Sequence, residues 1–487
     1  MKLLNNFSKR LSALILLIFA LILTGCTTKK ATISVNGYNG LRDSVVVIVQ
    51  IDEDSVDVDS LTVTLTKRND KNVQKQESCD TTDYEEQTVT FTGLEEETAY
   101  IISVKYTINK KTREIFNKVV ETSALGGSVD TAKEISSSQQ FIDEIKTDTD
   151  GYFKLTSDLD FKDIKFDMLH TSSKPFNGYI DGNGHTLKNI SYETTSAPAY
   201  NGIFAYNTGT IKNLNIDTVT FTISRSSTLY AGVVAGYNEG TINNVTITNS
   251  TIKASSKSTG VGEFYVGLGI GHNSSKGYLD TVKVNGNLDV TVNQNVYAGG
   301  LIGLDSSFSS GRVISNSEAN VVMNIKLTSI VTSAKEIKTY VGGFVGSILY
   351  SVIENSKSNS TINIEAQSKS TQENFKFELH VGGFAGFIQN TSLTNVTVSG
   401  SLDIKNKIED GMKYLTKVVA GTISGYVSAN ASFTNVISNV SSIKIDVTND
   451  CDVVANMGSK FFGEMAENTN YVINADTECD FVINKTA

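Results

Sequence analysis

The segment YVGGFVG (residues 340–346) is one copy of a glycine-rich motif that recurs along most of the chain. Six further copies begin at Tyr200, Tyr230, Tyr265, Tyr297, His380 and Val418. The first glycines of successive copies lie 30 to 43 residues apart, and in six of the seven copies a second glycine follows four positions later. Self-similarity at this period is typical of solenoids, in which each repeat stacks on the preceding one. We therefore predict that most of the chain is a solenoid.

A second landmark follows each glycine motif: an apolar residue, one variable residue and then an asparagine. The asparagines are Asn213, Asn244, Asn316, Asn355, Asn395 and Asn435. Thr281 takes this position in the remaining repeat. If successive coils stack in register, the amide side chains lie above one another and can hydrogen-bond along the stack. We predict a structural asparagine ladder, and the alternative is a row of amides that binds a ligand.

The glycine motif also predicts which side chains face the core. The tyrosine, the first glycine, the apolar residue two positions further and the second glycine share one parity of an extended strand. We therefore expect the tyrosines to pack in the core. The alternative is an aromatic stripe on the surface on which sugars stack.

These repeats resemble the GLUG-type repeats of bacterial surface proteins and of some secreted proteases. The segment PFNGYIDGNGHTLKNI (residues 175–190) likewise resembles the opening coil of that family. The resemblance covers roughly residues 138–440 and implies a right-handed parallel β-helix, as found in adhesins and in non-catalytic modules. A helix predicted over residues 137–146 would cap the first coil, because an open solenoid end exposes sheet edges. We assign residues 137–487 to this domain.

The N-terminus has the pattern of an export signal that ends at a lipid attachment site. Basic residues precede an apolar run from Leu11 to Leu23, which is too short to span a bilayer comfortably. The segment LTGC (residues 23–26) resembles the lipobox of bacterial lipoproteins, which implies a diacylglycerol on Cys26. Residues 1–25 are then a signal peptide and residues 26–30 a tether. The alternative is an ordinary secretory signal.

Residues 31–124 contain seven strand-like runs, which predict a β-sandwich. The segment LEEETAY (residues 94–100) resembles the tyrosine corner of fibronectin type III domains, in which a tyrosine hydroxyl ties a strand to the preceding loop. The core tryptophan of that family is missing, because the chain contains no tryptophan. We therefore predict an Ig-like sandwich of fibronectin type III character. Residues 125–136, which begin with LGGS, are predicted to be a linker.

Composition and motifs limit the possible chemistry. The chain carries 42 basic and 52 acidic residues, for a net charge of −10, and such a surface repels nucleic acid.

The segment DGNGH (residues 181–185) predicts a tight turn, with a calcium loop or an acid–base site as the alternative. We find no recurring pair of acids, so we predict no catalytic residue, no metal and no cofactor. Cys451 and Cys479 are predicted to be free buried thiols, and the alternative is a disulfide between them.

Together these features predict an all-β protein: an Ig-like or fibronectin type III β-sandwich followed by a right-handed parallel β-helix. It would be lipid-anchored at the bacterial cell surface, outside the cytoplasm, and would act in adhesion or binding without catalysis. Its partners would be the membrane, through the N-terminal lipid, and an extracellular glycan or a protein of a host or cell surface. The alternatives are a carbohydrate-active β-helix enzyme (a polysaccharide lyase or a glycoside hydrolase) and a structural scaffold of the envelope.

Overall fold

A computed structural model describes most of the chain beyond the N-terminal segment. The described residues are 31–41, 44–53, 57–68, 70–95, 98–122, 126–256, 262–307, 312–331, 336–370, 376–408, 415–428, 430–448, 451–455, 460–466, 470–473 and 479–486. The predicted signal peptide, the tether and Cys26 lie outside them. The chain divides into two compact units, which we call the sandwich unit (residues 1–133) and the solenoid unit (residues 134–487).

The sandwich unit contains two antiparallel sheets. Its strands are β1 (Ile33–Gly40), β2 (Ser44–Ile51), β3 (Ser60–Lys67), β4 (Asp70–Cys79), β5 (Gln87–Thr92), β6 (Ala99–Ile108) and β7 (Lys111–Glu121). One sheet has the order β1-β2-β5 and the other has the order β4-β3-β6-β7. Alternate residues of the strands, such as Val89 and Phe91 in β5, are buried in a core of their own. This alternation is what a sheet with one solvated face requires.

The loop before β6 is tied to that strand by a tyrosine. The backbone N–H of Glu95 donates a hydrogen bond to the Tyr100 hydroxyl at 3.0 Å. Leu94, the residue before Glu95, is buried against the sandwich core. The contact is the one that the LEEETAY segment predicts.

The solenoid unit is built almost entirely from short strands. Its first elements are β8 (Lys133–Ile135), α1 (Ser138–Thr147), β9 (Tyr152–Leu155), β10 (Leu159–Asp160), β11 (Tyr179–Asp181), β12 (Thr186–Lys188), β13 (Ser191–Thr194), β14 (Tyr200–Asn201), β15 (Tyr206–Asn207), β16 (Thr210–Asp217), β17 (Thr220–Arg225), β18 (Leu229–Ala231), β19 (Ala235–Asn238), β20 (Thr241–Ser256), β21 (Glu263–Gly267) and β22 (Ile270–Asn273). The later strands are β23 (Tyr278–Val292), β24 (Asn295–Gly299), β25 (Ile302–Ser306), β26 (Arg312–Ser315), β27 (Glu318–Val331), β28 (Glu336–Gly342), β29 (Val345–Leu349), β30 (Ser351–Glu354), β31 (Lys357–Ser370), β32 (Lys376–Gly382), β33 (Ala385–Gln389), β34 (Ser392–Ile408), β35 (Leu415–Gly421), β36 (Ser424–Val427), β37 (Ser432–Thr448), β38 (Asp452–Val454), β39 (Phe462–Met465), β40 (Asn470–Ile473) and β41 (Asp480–Thr486).

The strands of the solenoid unit form three parallel sheets, through which each coil passes in turn. The first sheet has 18 strands and contains the longest ones, such as β20, β34 and β37. The second sheet has the order β14-β18-β21-β24-β28-β32-β35-β38, and the third has the order β15-β19-β22-β25-β29-β33-β36-β39. Equivalent residues of successive repeats are paired, for example Tyr265 with Tyr297 and Tyr340 with His380. The predicted all-β fold with a parallel β-helix is confirmed.

One continuous apolar core fills the solenoid unit. Valine, isoleucine, leucine and phenylalanine from all three sheets contribute to it, and like residues stack between coils. The rings of Phe344 and Phe384, for example, are stacked with their centroids 4.7 Å apart. Cys451 and Cys479 are buried as free thiols at the C-terminal end of this core, so the alternative disulfide does not form.

Helix α1 covers the first coils. It begins after Ser137, whose hydroxyl accepts a hydrogen bond from the backbone N–H of Gln140 at 3.3 Å, and such a bond stabilises a helix N-terminus. Phe141 and Ile145 lie one turn apart and are fully buried. The ring of Phe141 packs against the ring of Phe204 at 6.2 Å. The helix thus lies one residue later than predicted and has the expected apolar face.

The segment before α1 contains more regular structure than the predicted linker implies. Strand β8 lies next to β9 in the first sheet, and the backbone N–H of Thr156 donates to the Ile135 carbonyl at 3.0 Å. A 3₁₀ turn at Val129–Thr131 precedes it. The solenoid unit therefore begins at Glu134, three residues before the predicted boundary at 137.

Candidate functional site

The tyrosines of the glycine motif lie on the outer surface of the second sheet. Tyr230 is only partly buried, whereas Leu229 and Ala231 on either side of it are fully buried in the core. Tyr265 is buried, but none of these tyrosines belongs to the apolar core of the solenoid unit, so the prediction that they pack in the core is wrong. The physical reason is that the backbone turns into the third sheet at the first glycine, so strand parity does not carry across the motif.

The rings of these residues form one continuous stack. The stack, which we call row 1, consists of Tyr200, Tyr230, Tyr265, Tyr297, Tyr340 and His380. Neighbouring ring centroids are 4.8 to 5.2 Å apart, close to the spacing between hydrogen-bonded strands. The ring faces are covered by one another, so the edges and the hydroxyl groups are what row 1 presents to solvent.

A second row lies on the third sheet, seven residues after row 1 in most coils. Row 2 consists of Tyr206, Tyr237, His272, Leu304, Ser347, Phe387 and Tyr426, which are paired coil by coil. Five of its seven members carry rings. Leu304 and Ser347 interrupt it opposite Tyr297 and Tyr340.

The two rows meet and form a groove. Within single coils, the ring centroids of Tyr230 and Tyr237 are 5.7 Å apart, and those of Tyr265 and His272 are also 5.7 Å apart. Outward side chains of two consecutive strands can touch only where the outer faces of the two sheets converge. The outer faces of the second and third sheets therefore converge at a corner lined by the two rows, and we call this corner the aromatic groove.

Glycine makes the sharp corner of the groove possible. A Cβ atom at Gly267 would lie 2.3 Å from the carbonyl oxygen of Ile270, and one at Gly382 would lie 2.1 Å from that of Ala385. Any side chain at these positions would force the two strands apart. The glycines that reveal the repeat in the sequence are thus the residues that bring the two rows together.

Several phenol hydroxyls of row 1 are open to solvent. Among the described residues no protein atom hydrogen-bonds to the hydroxyls of Tyr230, Tyr297 or Tyr340, and none of the three belongs to the buried atoms that lack a partner. Burial of the rings raises the pKa of Tyr230 and of Tyr340 to about 12. These phenols therefore stay protonated over the physiological range and offer both a donor and an acceptor.

Carboxylates and lysines line the edges of the groove. Glu263 accepts hydrogen bonds from the Tyr265 hydroxyl and, at 3.4 Å, from the Asn295 amide. Glu378 Oε2 lies 3.4 Å from His380 Nε2 and 3.9 Å from Lys338 Nζ. The polar rim therefore carries carboxylates, an amide and a lysine that is paired with Glu378.

The six predicted ladder asparagines share one backbone conformation. Their φ angles lie between 50° and 55°, in the left-handed region, and Thr281 has a φ of 56°. Asparagine tolerates this region better than any other residue with a side chain except aspartate, which explains its recurrence at a turn of every coil. The ladder positions are therefore the left-handed corners at which the chain turns within the first sheet.

The asparagine side chains are connected in two runs. Asn435 donates to Asn395 at 2.8 Å and Asn395 donates to Asn355 at 3.0 Å. In the N-terminal run Asn244 donates to Asn213 at 2.9 Å, and Asn213 donates to the carboxylate of Asp181 at 3.0 Å. Asn316 donates instead to the carboxylate of Asp280, the neighbour of Thr281, at 2.7 Å.

A second amide ladder, which was not predicted from the sequence, lies inside the core. Asn207 donates to Asn238, Asn238 to Asn273 and Asn273 to Asp305, at 2.7, 2.8 and 2.7 Å. All four side chains are fully buried, and Asp305 also pairs with the buried guanidinium of Arg312. The recurring dipeptide of a ring residue followed by asparagine is the signal that would have revealed this ladder.

The DGNGH segment forms a tight turn. Asp181 Oδ1 accepts a hydrogen bond from the backbone N–H of Asn183 at 2.8 Å, and both Asn183 and Gly184 have a positive φ. The imidazole Nδ1 of His185 lies 3.3 Å from Asp158 Oδ1. Within the described ranges, no three His, Cys, Asp or Glu side chains are placed to hold a metal ion, and no helix is long and apolar enough to cross a membrane.

Comparison with known proteins identifies one repeat. The model of the GLUG motif matches residues 339–363, which include the glycine motif at 340–346 and Asn355. No curated protein matches the chain. The match and the fold together support a GLUG-type, β-rich protein.

Proposed function

We propose that the protein is a lipid-anchored, non-catalytic binding protein of the bacterial cell surface, and that the aromatic groove is its binding surface. The observation that carries this proposal is the set of open phenol hydroxyls along row 1, at Tyr230, Tyr297 and Tyr340. Exposed hydrogen-bonding groups in an aromatic site are typical of recognition surfaces. The LTGC segment (residues 23–26) supports the lipid anchor, and two acyl chains give stable attachment.

The chemistry of the groove favours binding over catalysis. Burial lowers the pKa of His272 to about 4, with a contribution from the Arg312 guanidinium, and burial also lowers the pKa of His380. Both imidazoles are therefore neutral near pH 7, and their rings are packed into the rows. A general base needs a pKa near the working pH and access to the substrate; the pKa of His272 lies well below that range, and His380 is buried.

The sandwich unit is best explained as a fibronectin type III-like spacer. The strand orders β1-β2-β5 and β4-β3-β6-β7 and the bond between Tyr100 and Glu95 support this assignment. In chain order such a domain lies between Cys26 and the solenoid unit.

The anchor can be tested by metabolic labelling. Cells that express the full chain are fed a tagged fatty acid, and the Cys26→Ala variant serves as the control. We expect label in the parent protein and none in the Cys26→Ala variant. We also expect protease added to intact cells to degrade the parent protein. Equal labelling of both proteins, or protection from protease on intact cells, would reject surface anchoring.

The binding function can be tested with the otherwise complete chain carrying Cys26→Ser, screened on glycan and host-matrix arrays. We expect a ligand whose binding weakens in the groove variant Tyr340→Ala. Tyr278→Ala, at an exposed tyrosine of the first sheet, is the matched control and should bind normally. Absence of binding on every array would count against the proposal.

A further inference from the structure

The repeat along the aromatic groove matches a particular class of ligand. Row 1 presents one ring edge per coil at intervals of 4.8 to 5.2 Å. An extended β-1,4-linked polysaccharide advances by nearly the same length per sugar. Such a chain can therefore place one sugar beside each coil, and because successive sugars are rotated by about half a turn, equivalent hydroxyl groups recur at every second tyrosine.

The groups offered by the groove are those that bind sugar hydroxyls. The phenols of Tyr230, Tyr297 and Tyr340 are open, and each can donate and accept one hydrogen bond. Because the ring faces are covered by neighbouring rings, recognition would rest on hydrogen bonds at ring edges and not on stacking. The stacking platform, which was the alternative to core packing, is thereby replaced by a row of hydroxyls.

Row 2 lacks a ring directly beside Tyr297 and Tyr340 in their own coils. In other coils the row 2 residue across from the tyrosine is a ring, such as Tyr237 opposite Tyr230. Leu304 and Ser347 take that place here, and the nearest row 2 ring is that of Phe387 in the next coil, whose centroid lies 5.5 Å from that of Tyr340.

The charges at the groove select against an anionic ligand. Glu263 and Glu378 lie at its edge, and Lys338 is held between Glu336 at 3.2 Å and Glu378 at 3.9 Å. The net charge of −10 adds a long-range repulsion. Among the described residues at this edge, Lys338 and Lys417 are both paired with carboxylates, so a polysaccharide of uronic acids or sulfated sugars would find no unpaired cation there.

We propose that the aromatic groove binds an uncharged, extended β-1,4-linked polysaccharide, one sugar per coil, through the hydroxyls of Tyr297 and Tyr340 and their row 1 neighbours. The proposal rests on the proposed binding function and names its ligand class.

The test measures binding of soluble β-1,4-linked hexasaccharides of glucose, mannose and xylose by titration calorimetry, with the otherwise complete chain carrying Cys26→Ser. Polygalacturonate is the anionic comparison. We expect at least one neutral hexasaccharide to bind, more tightly than its trisaccharide and more tightly than polygalacturonate. Tyr297→Phe and Tyr340→Phe keep the ring and remove one hydroxyl, so each should weaken binding about 3- to 10-fold.

Tyr278→Phe is the matched control, because this exposed tyrosine lies on the first sheet, and it should leave the affinity unchanged. Failure of every neutral hexasaccharide to bind, tighter binding of polygalacturonate, or an equal loss in Tyr278→Phe would overturn the inference. If the arrays reveal a protein ligand whose binding depends on Tyr340 while no sugar binds, the proposed binding function is supported and the proposed ligand class is rejected. If nothing binds in either experiment, both proposals are rejected.

Discussion

Replacing Thr281 by asparagine should stabilise the solenoid unit. Thr281 occupies the ladder position of its coil with a φ of 56°, a region that a β-branched residue adopts at a cost of roughly 1–2 kcal/mol. Asparagine is several-fold enriched there and stands at the same φ in the other six coils. The substitution therefore removes a local conflict between side chain and backbone.

The magnitude has two parts. Relief of the backbone conflict should contribute about 1 kcal/mol, because asparagine recovers most of that cost. A new amide can donate to Asn244 as Asn244 donates to Asn213 at 2.9 Å, but the substitution removes the bond that the Thr281 hydroxyl donates to Asp280 at 3.1 Å, so the two hydrogen bonds offset each other. We expect Thr281→Asn to raise the free energy of unfolding by about 1 kcal/mol.

Urea unfolding of the solenoid unit would measure this change, and two further variants separate its causes. Thr281→Gly relieves the backbone without adding an amide and should gain less than Thr281→Asn. Thr291→Asn changes an exposed threonine of β23 with ordinary backbone geometry and should gain nothing. The reasoning fails if Thr281→Asn is no more stable than Thr281→Gly, or if Thr291→Asn gains as much.

Three other changes have defined outcomes. Burial lowers the pKa of His170 and of His272 to about 4, so both are neutral in the fold, and protonation favours the unfolded chain. The free energy of unfolding is highest above pH 6.5 and should fall by about 3 kcal/mol per histidine as the pH approaches 4. Urea unfolding at each pH measures this change, and the fall should be shallower in His170→Phe. Equal urea midpoints at pH 7 and 4.5 would contradict this. Asp305→Ala leaves Arg312 buried without its carboxylate and should cost about 3–5 kcal/mol in urea unfolding, and a cost below 1 kcal/mol would show that the pair is not desolvated. Tyr100→Phe should destabilise the sandwich unit by about 1 kcal/mol and leave the solenoid transition in place, so a shift of the solenoid transition would argue against separate units.

The sequence predicted the coils because their period and their residue identities agree. Gly342 and Gly382 recur at the same point of the coil since a Cβ atom there would meet the next strand, and Asn355 and Asn395 recur since their backbone is left-handed. Steric requirements of this kind select the same residue type at the same position of each repeat, and this recurrence is visible in a single sequence. Period, turn positions and ladder register were therefore predictable.

The face of the tyrosines was not predictable from strand parity. The alternation rule holds within β21, where Phe264 and Val266 point inward, but it stops at the bend after Gly267. A bend of this kind depends on backbone contacts between two sheets. The alternation of apolar and polar residues along one strand does not record these contacts. The buried pair of Asp305 and Arg312 escaped notice for a related reason, because a charged residue in a strand is usually taken as exposed.

The amide ladders have a direction, and this limits how the solenoid can change in evolution. Inside the core, donors point from Asn207 towards Asp305, and in the N-terminal outer run they point back towards Asp181. An ionised carboxylate only accepts hydrogen bonds, so each string must stop where an aspartate stands. Tandem duplication of the coil that contains Asn238 would lengthen its string without losing a partner. Duplicating the coil of Asp305 would set two carboxylates against each other, so aspartates mark the places where new coils are not readily inserted.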